Sequence, residues 1–388
     1  MDKQQTAAIE KINSIRTKLK EEYAERDDVV DGMLTALIAK KHVFLLGPPG
    51  TAKSALISSA VKRVTNANQF SWLMTAFTNP EEVFGPVKFS ALKQDRYERI
   101  TEGKLPTAHV AYLDEVFKAN CPILNATLSV MNERLFDNGV KREACPLITL
   151  IGSSNEMPEG PELNALFDRF TLRYDVRYIK NKETLMGLIL GDGKTGSGED
   201  PSISLDELEL LNEASLNDVS LDRKIVTQMI EIKNDLEQEG IVVSDRSWIG
   251  LAGVLKARAI LDGEDSVDVS HLEILSDCLW QEPDQIQKVA AIVSRRAEPT
   301  TAEVIENLDH IEELFSIEFP PKVSDENVAT AGRICRETKA IIERTREIVN
   351  GASNTKTELK QTRATVALSK MQDMKKEMDR RMSEYTGL

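Results

Sequence analysis

The feature that most constrains the fold is the segment GPPGTAKS at residues 47–54, which lies between an apolar run and a helical stretch. A glycine-rich turn in this position points successive backbone N–H groups inward, and the following helix adds the positive end of its dipole. Both features stabilise negative charge, so the segment is predicted to be a phosphate-binding loop. Its eight residues are Gly47, Pro48, Pro49, Gly50, Thr51, Ala52, Lys53 and Ser54.

Two side chains of this loop carry chemistry beyond that of the backbone. Lys53 supplies a positive charge for the β- and γ-phosphates of a nucleotide, and Ser54 supplies a hydroxyl for Mg²⁺. The loop departs from the usual GxxxxGK[ST] pattern at Ala52, where glycine is common. A methyl group is tolerated there if the residue keeps a negative φ, so the pattern is weakened a little and not broken.

Short apolar runs alternate with helical stretches in the first half of the chain. The runs have the length and continuity of strands that are buried on both faces. They lie at residues 42–46, 70–76, 110–113 and 147–152, and the helical stretches lie at 55–64, 123–132 and 161–167. This alternation predicts an α/β fold, with a parallel sheet covered by helices on both sides.

Polar side chains follow two of these apolar runs directly. Asp114 and Glu115 end the run at 110–113, where Asp114 can hold the water shell of Mg²⁺ and Glu115 can polarise an attacking water. Asn155 follows the run at 147–152, where its amide can contact that water or the γ-phosphate. The alternatives are a solvated strand end for the two acids and an ordinary turn residue for Asn155.

Two arginines stand apart from their neighbours. Arg169 lies where a short helix passes into a strand, whose alternation places Arg173 and Arg177 on the outward, solvated face. Arg246 lies in the first turn of a helix, where a cation opposes the helix dipole and gives no capping benefit. A surface salt bridge in an acidic region is the alternative interpretation of Arg246.

The charge and the composition divide the chain into three predicted domains. Residues 1–190 have a net charge of +1, residues 191–296 a net charge of −12, and residues 297–388 a net charge of −3. The glycine-rich stretch at 191–201 is predicted to be a flexible connection into an all-α second domain. In the last domain three helices are expected, with an acidic first helix packed against two basic ones and a methionine stripe in the core.

Composition excludes several classes of protein. The net charge of −14 and the pI near 5.0 argue against non-specific binding to nucleic acid or to anionic membranes. No apolar run reaches the roughly 20 residues of a membrane span, and the first residues lack a signal-peptide pattern, so a cytoplasmic protein is expected. The four cysteines lack metal-site spacing and are expected to be buried free thiols.

Taken together, these motifs resemble the MoxR family of AAA+ ATPases. The resemblance rests on GPPGTAKS, YLDEVFKA, SSNE and LFDRF, followed by a helical lid that contains SDRSW. It is closest to the RavA (regulatory ATPase variant A) subfamily, through NPEEVFGPVKFSALKQ, RYERITEGKLP and NERLFDNG. The resemblance covers most of residues 20–290, whereas residues 297–388 carry no identifying motif.

The resemblance implies a ring-shaped homo-hexamer that binds ATP and Mg²⁺ at its subunit interfaces. It assigns Asn155 as sensor 1, Arg169 as a finger reaching the γ-phosphate of a neighbour, and Arg246 as sensor 2 in its own or the next subunit. It also implies a β-hairpin inserted at residues 80–106. The face of that hairpin formed by Phe84, Phe89 and Tyr97 lines the central pore or is a fixed surface hairpin.

The resemblance also implies a partner protein with a von Willebrand factor A domain and chaperone-like activity on protein complexes. The β-rich module that RavA-type chains can carry is not expected after residue 296, where helices run on continuously. The leading hypothesis is therefore an ATP-hydrolysing remodeller of proteins. The alternatives are a nucleic-acid motor and a nucleotide-gated scaffold that hydrolyses ATP only incidentally.

Overall fold

The computed structural model describes residues 2–191, 200–297, 307–308, 310–311, 313–314, 325–352 and 358–386. It divides into two compact units, Met1–Val289 and Ala290–Leu388. Most of the predicted flexible connection at 191–201 lies outside the described residues. No helix among the described residues is long and apolar enough to cross a membrane.

The described residues contain nine strands and fifteen α-helices. The strands are β1 (Val43–Leu46), β2 (Val64–Thr65), β3 (Gln69–Leu73), β4 (Val110–Asp114), β5 (Leu135–Asn138), β6 (Lys141–Ala144), β7 (Thr149–Ser154), β8 (Leu172–Asp175) and β9 (Ile203–Ser204). The helices are α1 (Lys3–Glu22), α2 (Asp27–Ala39), α3 (Lys53–Lys62), α4 (Pro80–Phe84), α5 (Phe89–Leu92), α6 (Cys121–Asn132), α7 (Pro161–Phe167), α8 (Lys182–Leu190), α9 (Leu205–Asn217), α10 (Arg223–Gln238), α11 (Asp245–Leu261), α12 (Ser276–Leu279), α13 (Ile286–Ala297), α14 (Asp325–Ala352) and α15 (Glu358–Thr386).

Five strands form a parallel sheet in the order β3-β4-β7-β1-β8. The central strand β1 is buried along its whole length, as expected for a parallel strand covered on both faces. Because all five strands run in one direction, their ends form two distinct sides of the sheet. We call these the carboxyl edge, where the strands end, and the amino edge, where they begin. The predicted α/β fold is confirmed.

A β-hairpin is present, but it lies elsewhere than predicted. Antiparallel β5 and β6 form it, whereas residues 80–106 contain α4, α5 and a single antiparallel bridge between Val87 and Arg99. Within that segment the Phe84 side chain is 2% exposed and stacks on Phe136 with ring centroids 5.3 Å apart. The expectation that Phe84 lines a pore is therefore wrong, because the ring belongs to the core.

A buried charge network fixes the amino-terminal helices against the lid helix α11. Asp31 of α2 accepts ion pairs from Arg16 at 2.6 Å, Lys20 at 2.7 Å and Arg258 of α11 at 3.2 Å. Burial opposes ionisation of Asp31, but the hydrogen bond from Arg16 and the two other cations outweigh it, so the pKa of this carboxyl lies below its ordinary value. The network holds α11 in a fixed register along α2.

The second unit is helical. Ile311, in a helical segment before α14, packs with Ile342, Leu368 and Met371, and a second cluster joins Leu314, Ile334 and Met378. These contacts confirm a mostly helical C-terminal region and the core position of Met371 and Met378 within the methionine stripe, whereas the three-helix domain at 297–388 stays a prediction. Most acidic residues of the first helix lie outside the described residues, so the predicted charge pairing stays a prediction.

All four cysteines are free thiols, but they are not uniformly buried. Cys145 and Cys278 are buried, Cys335 is half-buried and Cys121 is exposed at the start of α6. The expectation of burial is wrong for Cys121, because it is the first residue of α6 and lies outside the buried face of that helix, to which Ile123 and Leu124 belong.

Candidate functional site

The phosphate-binding loop lies at the carboxyl edge, between β1 and α3. The N–H of Gly47 donates to the carbonyl of Ser154 on β7 at 3.0 Å, and the N–H of Val176 after β8 donates to the carbonyl of Leu46 at 2.7 Å. A Cβ at Gly47 would lie 2.2 Å from the Val176 carbonyl oxygen, which no side chain tolerates. The loop is thus held between β7 and β8, the two strands that flank β1, and its first residue must be glycine.

The ammonium of Lys53 lies over this loop. Its Nζ donates to the carbonyls of Gly47 and Pro48, the latter at 2.9 Å. Burial lowers the pKa of Lys53, and the nearby Asp114 and Glu115 carboxylates oppose that shift. The carbonyl oxygens that hold the ammonium are weaker partners than a polyphosphate, so the geometry fits a cation that turns to bind phosphate.

Ala52 does not have the conformation on which its tolerance was predicted to depend. Its φ is +63° and its ψ is +18°, in the left-handed region, immediately before α3 begins. Ala52 adopts this left-handed conformation because the chain must turn sharply from the loop into the helix. The expected negative φ is wrong, and Ala52 occupies a position that favours glycine.

Replacing Ala52 with glycine is therefore expected to raise the free energy of unfolding by about 0.5–1 kcal/mol. The left-handed conformation destabilises the folded state by about 1–2 kcal/mol when the residue is alanine. Glycine avoids this cost, but its greater freedom in the unfolded chain offsets about 0.4–1 kcal/mol of the gain. Urea titration measures the change. Ala55→Gly, at an exposed position inside α3, is the matched control and is expected to lower stability by about 1 kcal/mol. A less stable Ala52→Gly protein would contradict the assignment of strain.

Asp114 lies at the end of β4 beside the loop, within a set of hydroxyl groups. Ser54 Oγ donates to Asp114 Oδ2 at 3.2 Å, and Ser153 Oγ of β7 donates to Oδ1. The Tyr112 hydroxyl lies 3.0 Å from both Ser54 Oγ and Ser153 Oγ. Hydroxyl and carboxylate oxygens are the ligands that Mg²⁺ prefers, so Ser54 and Asp114 fit the predicted metal site.

Sequence reasoning missed Tyr112 and Ser153. Tyr112 lies two residues before Asp114 on β4, and so on the same face, while Ser153 precedes the predicted Asn155 on β7. Burial raises the pKa of Tyr112 to about 12, so its hydroxyl stays protonated at neutral pH and can donate. The strand alternation contained this signal, but only pairing of β4 with β7 brings the two hydroxyls together.

Glu115 has a strained backbone and a carboxylate oxygen that accepts no hydrogen bond among the described residues. Its φ is +51°, uncommon for a residue other than glycine, and such strain is concentrated at functional sites. Its Oε2 has no hydrogen bond among the described residues, although Lys118 Nζ lies 3.3 Å away. A buried acceptor with this freedom can hydrogen-bond a water placed between it and a phosphate.

Asn155 completes the group at the carboxyl edge. It is exposed and directly follows β7, whose register pairs Gly152 with Leu113 of β4. The ends of β4 and β7 therefore lie side by side. The structure thus brings together Lys53, Ser54, Asp114, Glu115 and Asn155 at one edge of the sheet.

Arg169 lies at the opposite, amino edge. It precedes β8, where the N–H of Thr171 donates to the carbonyl of His42 at the start of β1. Its Nη1 donates to Asp168 at 2.8 Å, and its buried Nε has no hydrogen-bond partner among the described residues. The length of β1 separates it from the phosphate-binding loop of its own chain.

Arg246 also lies at the amino edge. It is the second residue of α11, and its charge acts on Lys41, which precedes β1. Lys41 and Gly47 stand at opposite ends of β1, about 20 Å apart, because an extended chain rises about 3.3 Å per residue. The structure therefore does not bring Arg169 or Arg246 to the loop of the same chain.

The expectation that Arg173 is solvated is wrong. Its side chain is buried, donates to the carbonyl of Trp280 at 2.6 Å and lies 4.3 Å from the centre of the Phe167 ring. Burial lowers its pKa to about 10. Strand alternation predicted an outward face correctly, but the lid residue Trp280 covers that face. Arg177, by contrast, is exposed and pairs with Asp175 at 2.6 Å.

Comparison with known proteins places this site in a family. A family model described as the MoxR domain in the MoxR-vWA-beta-propeller ternary systems matches residues 10–213, more than half of the chain. The chain belongs to the MoxR family of AAA+ ATPases. A model of the AAA lid domain matches residues 224–293 of this MoxR protein. The predicted resemblance is confirmed at the level of the family.

Relatives agree with this placement. An uncharacterized protein of Methanocaldococcus jannaschii is 41% identical over 305 residues, which are 77% of this chain and 79% of that protein. Chaperone MoxR1 of Mycobacterium tuberculosis is 26% identical over 273 residues, 66% of this chain and 70% of that protein. A crystal structure from Cytophaga hutchinsonii, of a protein proposed to be an ATPase, shares the fold. Its TM-score is 0.55 at 18% identity, covering 76% of this MoxR protein and 88% of that chain.

Proposed function

We propose that this MoxR protein hydrolyses ATP with Mg²⁺ in a ring of six copies and uses the cycle to remodel or activate protein complexes. The observation that carries the proposal is the division of the site between the two edges of the sheet. The residues proposed to bind phosphate, metal and water lie at the carboxyl edge, whereas Arg169 and Arg246 lie at the amino edge. A complete site then forms where the amino edge of one copy meets the carboxyl edge of the next.

Each residue has a separate task in this site. Lys53 and the loop backbone bind the phosphates, Ser54 and Asp114 hold the metal, and Glu115 orients and polarises the water. Asn155 contacts that water or the γ-phosphate. When bound, Mg²⁺ stabilises charge on the phosphate oxygens. Arg169 of one copy stabilises the charge that develops on the γ-phosphate held by the next.

An exposed apolar helix supports the association of copies. All five large apolar side chains of α8 are between 42% and 77% exposed, and none of its residues is buried. They are Leu185, Met186, Leu188, Ile189 and Leu190. The helix begins beside the loop, since Tyr178 just before it donates to the carbonyl of Pro49 at 3.2 Å. Such a patch on a nine-residue helix is typical of an interface between proteins.

The comparisons support a protein partner. The matching family model describes MoxR domains in systems with von Willebrand factor A and β-propeller proteins, and one relative is named a chaperone. We therefore propose a partner with a von Willebrand factor A domain. The domain limits 1–190, 191–296 and 297–388, the RavA subfamily and the cytoplasmic location stay predictions of the sequence.

The test measures ATP hydrolysis by the full chain over a range of protein concentrations, with Mg²⁺ or with EDTA, alongside light scattering for size. The rate per subunit is expected to rise as copies associate and to vanish in EDTA. Ile189→Asp on α8 is expected to weaken association and to lower the rate most at low concentration. Val140→Asp, at the exposed turn of the β5–β6 hairpin, is the matched control.

Further arms distinguish the classes of function. Stimulation by a protein with a von Willebrand factor A domain from the same organism supports the remodelling function. Stimulation by single-stranded DNA, falling steeply with salt, would replace it with a nucleic-acid motor. A rate per subunit that is independent of concentration and unaffected by Ile189→Asp would contradict the shared site.

A further inference from the structure

Three cations gather at the amino edge of the sheet, near the start of β1. Arg134 and Arg246 both act electrostatically on Lys41, and among the described residues no carboxylate offsets them there. Arg134 is bound to backbone carbonyls, since its Nη2 donates to Lys40 at 3.1 Å and Ile148 at 3.2 Å. The chain as a whole has a net charge of −14, so this local excess of positive charge is not a property of its composition.

Within this group, Lys41 and Arg246 are the two cations whose side chains have no polar partner among the described residues. Among the described residues, neither side chain makes a hydrogen bond or an ion pair, and Arg246 is exposed. A Cβ at Gly250, one turn along α11, would lie 3.5 Å from Lys41 Nζ, so the ammonium lies against the first turns of that helix. The amino end of this seventeen-residue helix adds its own positive potential.

This arrangement stabilises a bound anion. Burial and the two arginines all lower the pKa of Lys41, and within the described part of the chain no hydrogen bond or ion pair offsets its charge. An anionic group placed between Lys41 and Arg246 removes their mutual repulsion and gains contacts with both. The phosphate-binding loop of the same chain lies at the other end of β1, so the anion comes from another molecule.

We propose that Lys41 acts together with Arg246 in binding the polyphosphate of a nucleoside triphosphate held in the phosphate-binding loop of a second copy of this chain. The inference rests on the proposed function, because it uses the same meeting of the amino and carboxyl edges. Arg169 lies on the same edge, where β8 begins beside β1. Lys41 thus adds a cation to the nucleotide site that no recognised motif contains.

The test combines Lys41→Met with the conservative Lys41→Arg and the control Lys40→Met, which removes a neighbouring lysine. Lys41→Met is expected to lower hydrolysis by assembled protein about tenfold, because one charge-assisted contact to phosphate is lost. Lys41→Arg and Lys40→Met are expected to stay within about twofold of wild type. Thermal melting and ATP binding by dissociated subunits are expected to be unchanged in all three.

A mixing experiment locates the action of Lys41. Lys41→Met subunits keep their own loop and Glu115, while Glu115→Gln subunits keep Lys41. In a random equal mixture, about a quarter of the sites combine an intact loop with a Lys41 from the next copy, so activity is expected to exceed that of either variant. Activity equal to the average of the two separate variants would overturn the inference.

A readout without hydrolysis separates this inference from the proposed function. With a non-hydrolysable ATP analogue, Lys41→Met is expected to need about tenfold more protein for association than wild type. Wild-type protein that associates but does not hydrolyse ATP would contradict the proposed function alone. If Lys41→Met associates as wild type does, or if it only abolishes binding of inorganic phosphate by dissociated subunits, the second-copy assignment is wrong.

Discussion

Replacing Glu115 with glutamine is expected to leave ATP binding intact and to lower hydrolysis by about 10²–10⁴-fold, the usual contribution of a general base. The reason lies in the geometry of the carboxylate. Glu115 follows Asp114, the proposed metal ligand, at the carboxyl edge, and its Oε2 has no hydrogen bond among the described residues. Glutamine keeps the size of the side chain but does not accept a proton from water.

The measurement is single-turnover hydrolysis of ATP, with binding followed separately by a fluorescent ATP analogue. Glu159→Gln is the control, because Glu159 is exposed in the loop that follows β7 and makes no hydrogen bond or ion pair among the described residues. Hydrolysis by Glu115→Gln within tenfold of wild type would remove Glu115 from the site. Loss of nucleotide binding would instead indicate that the residue supports the loop.

Replacing Arg169 with alanine is expected to lower hydrolysis by about 10³–10⁵-fold where the arginine reaches the γ-phosphate of a neighbour. Its position at the amino edge leaves its own loop out of reach. Nucleotide affinity of dissociated subunits is expected to stay unchanged, since the residue makes no contact with its own nucleotide. Steady-state hydrolysis by assembled protein measures the effect.

Two controls make this result specific. Arg177→Ala removes an exposed arginine just after β8, the strand that Arg169 precedes. It is expected to leave hydrolysis within about twofold of wild type. Arg169→Ala subunits mixed with Glu115→Gln subunits are expected to recover activity, although each variant is nearly inactive alone. Absence of recovery despite demonstrated exchange of subunits would show that Arg169 acts within its own chain or only on stability.

Features that depend on near neighbours along the chain were predictable. The phosphate-binding loop, the strand before it and the helix after it are adjacent in sequence. The requirement for glycine at position 47 is different, because it comes from the Val176 carbonyl, which lies far along the chain. Asp114 and Glu115 were found because they end a continuous apolar run, and such a run in an alternating α/β pattern is typical of a buried strand.

Tertiary structure decided which faces of the strands and helices are buried, because the residues that bury them are distant in sequence. Alternation placed Arg173 on the outer face of β8, but Trp280, distant in sequence, buries that face. Glycine is common at position 52 of the motif, but only the structure shows that Ala52 itself has the positive φ that glycine favours. Phe84 entered the core because β5 supplies Phe136 beside it.

The sequence by itself predicted which groups would bind a nucleotide, because residue type and local spacing suffice to indicate a loop and its acids. It left open where Arg169 and Arg246 lie. Only the folded chain shows that both lie at the amino edge, with Lys41, because that depends on strand direction and on how α11 packs along α2 through Asp31. Distance along β1, and not residue chemistry, separates them from the phosphate-binding loop of their own chain.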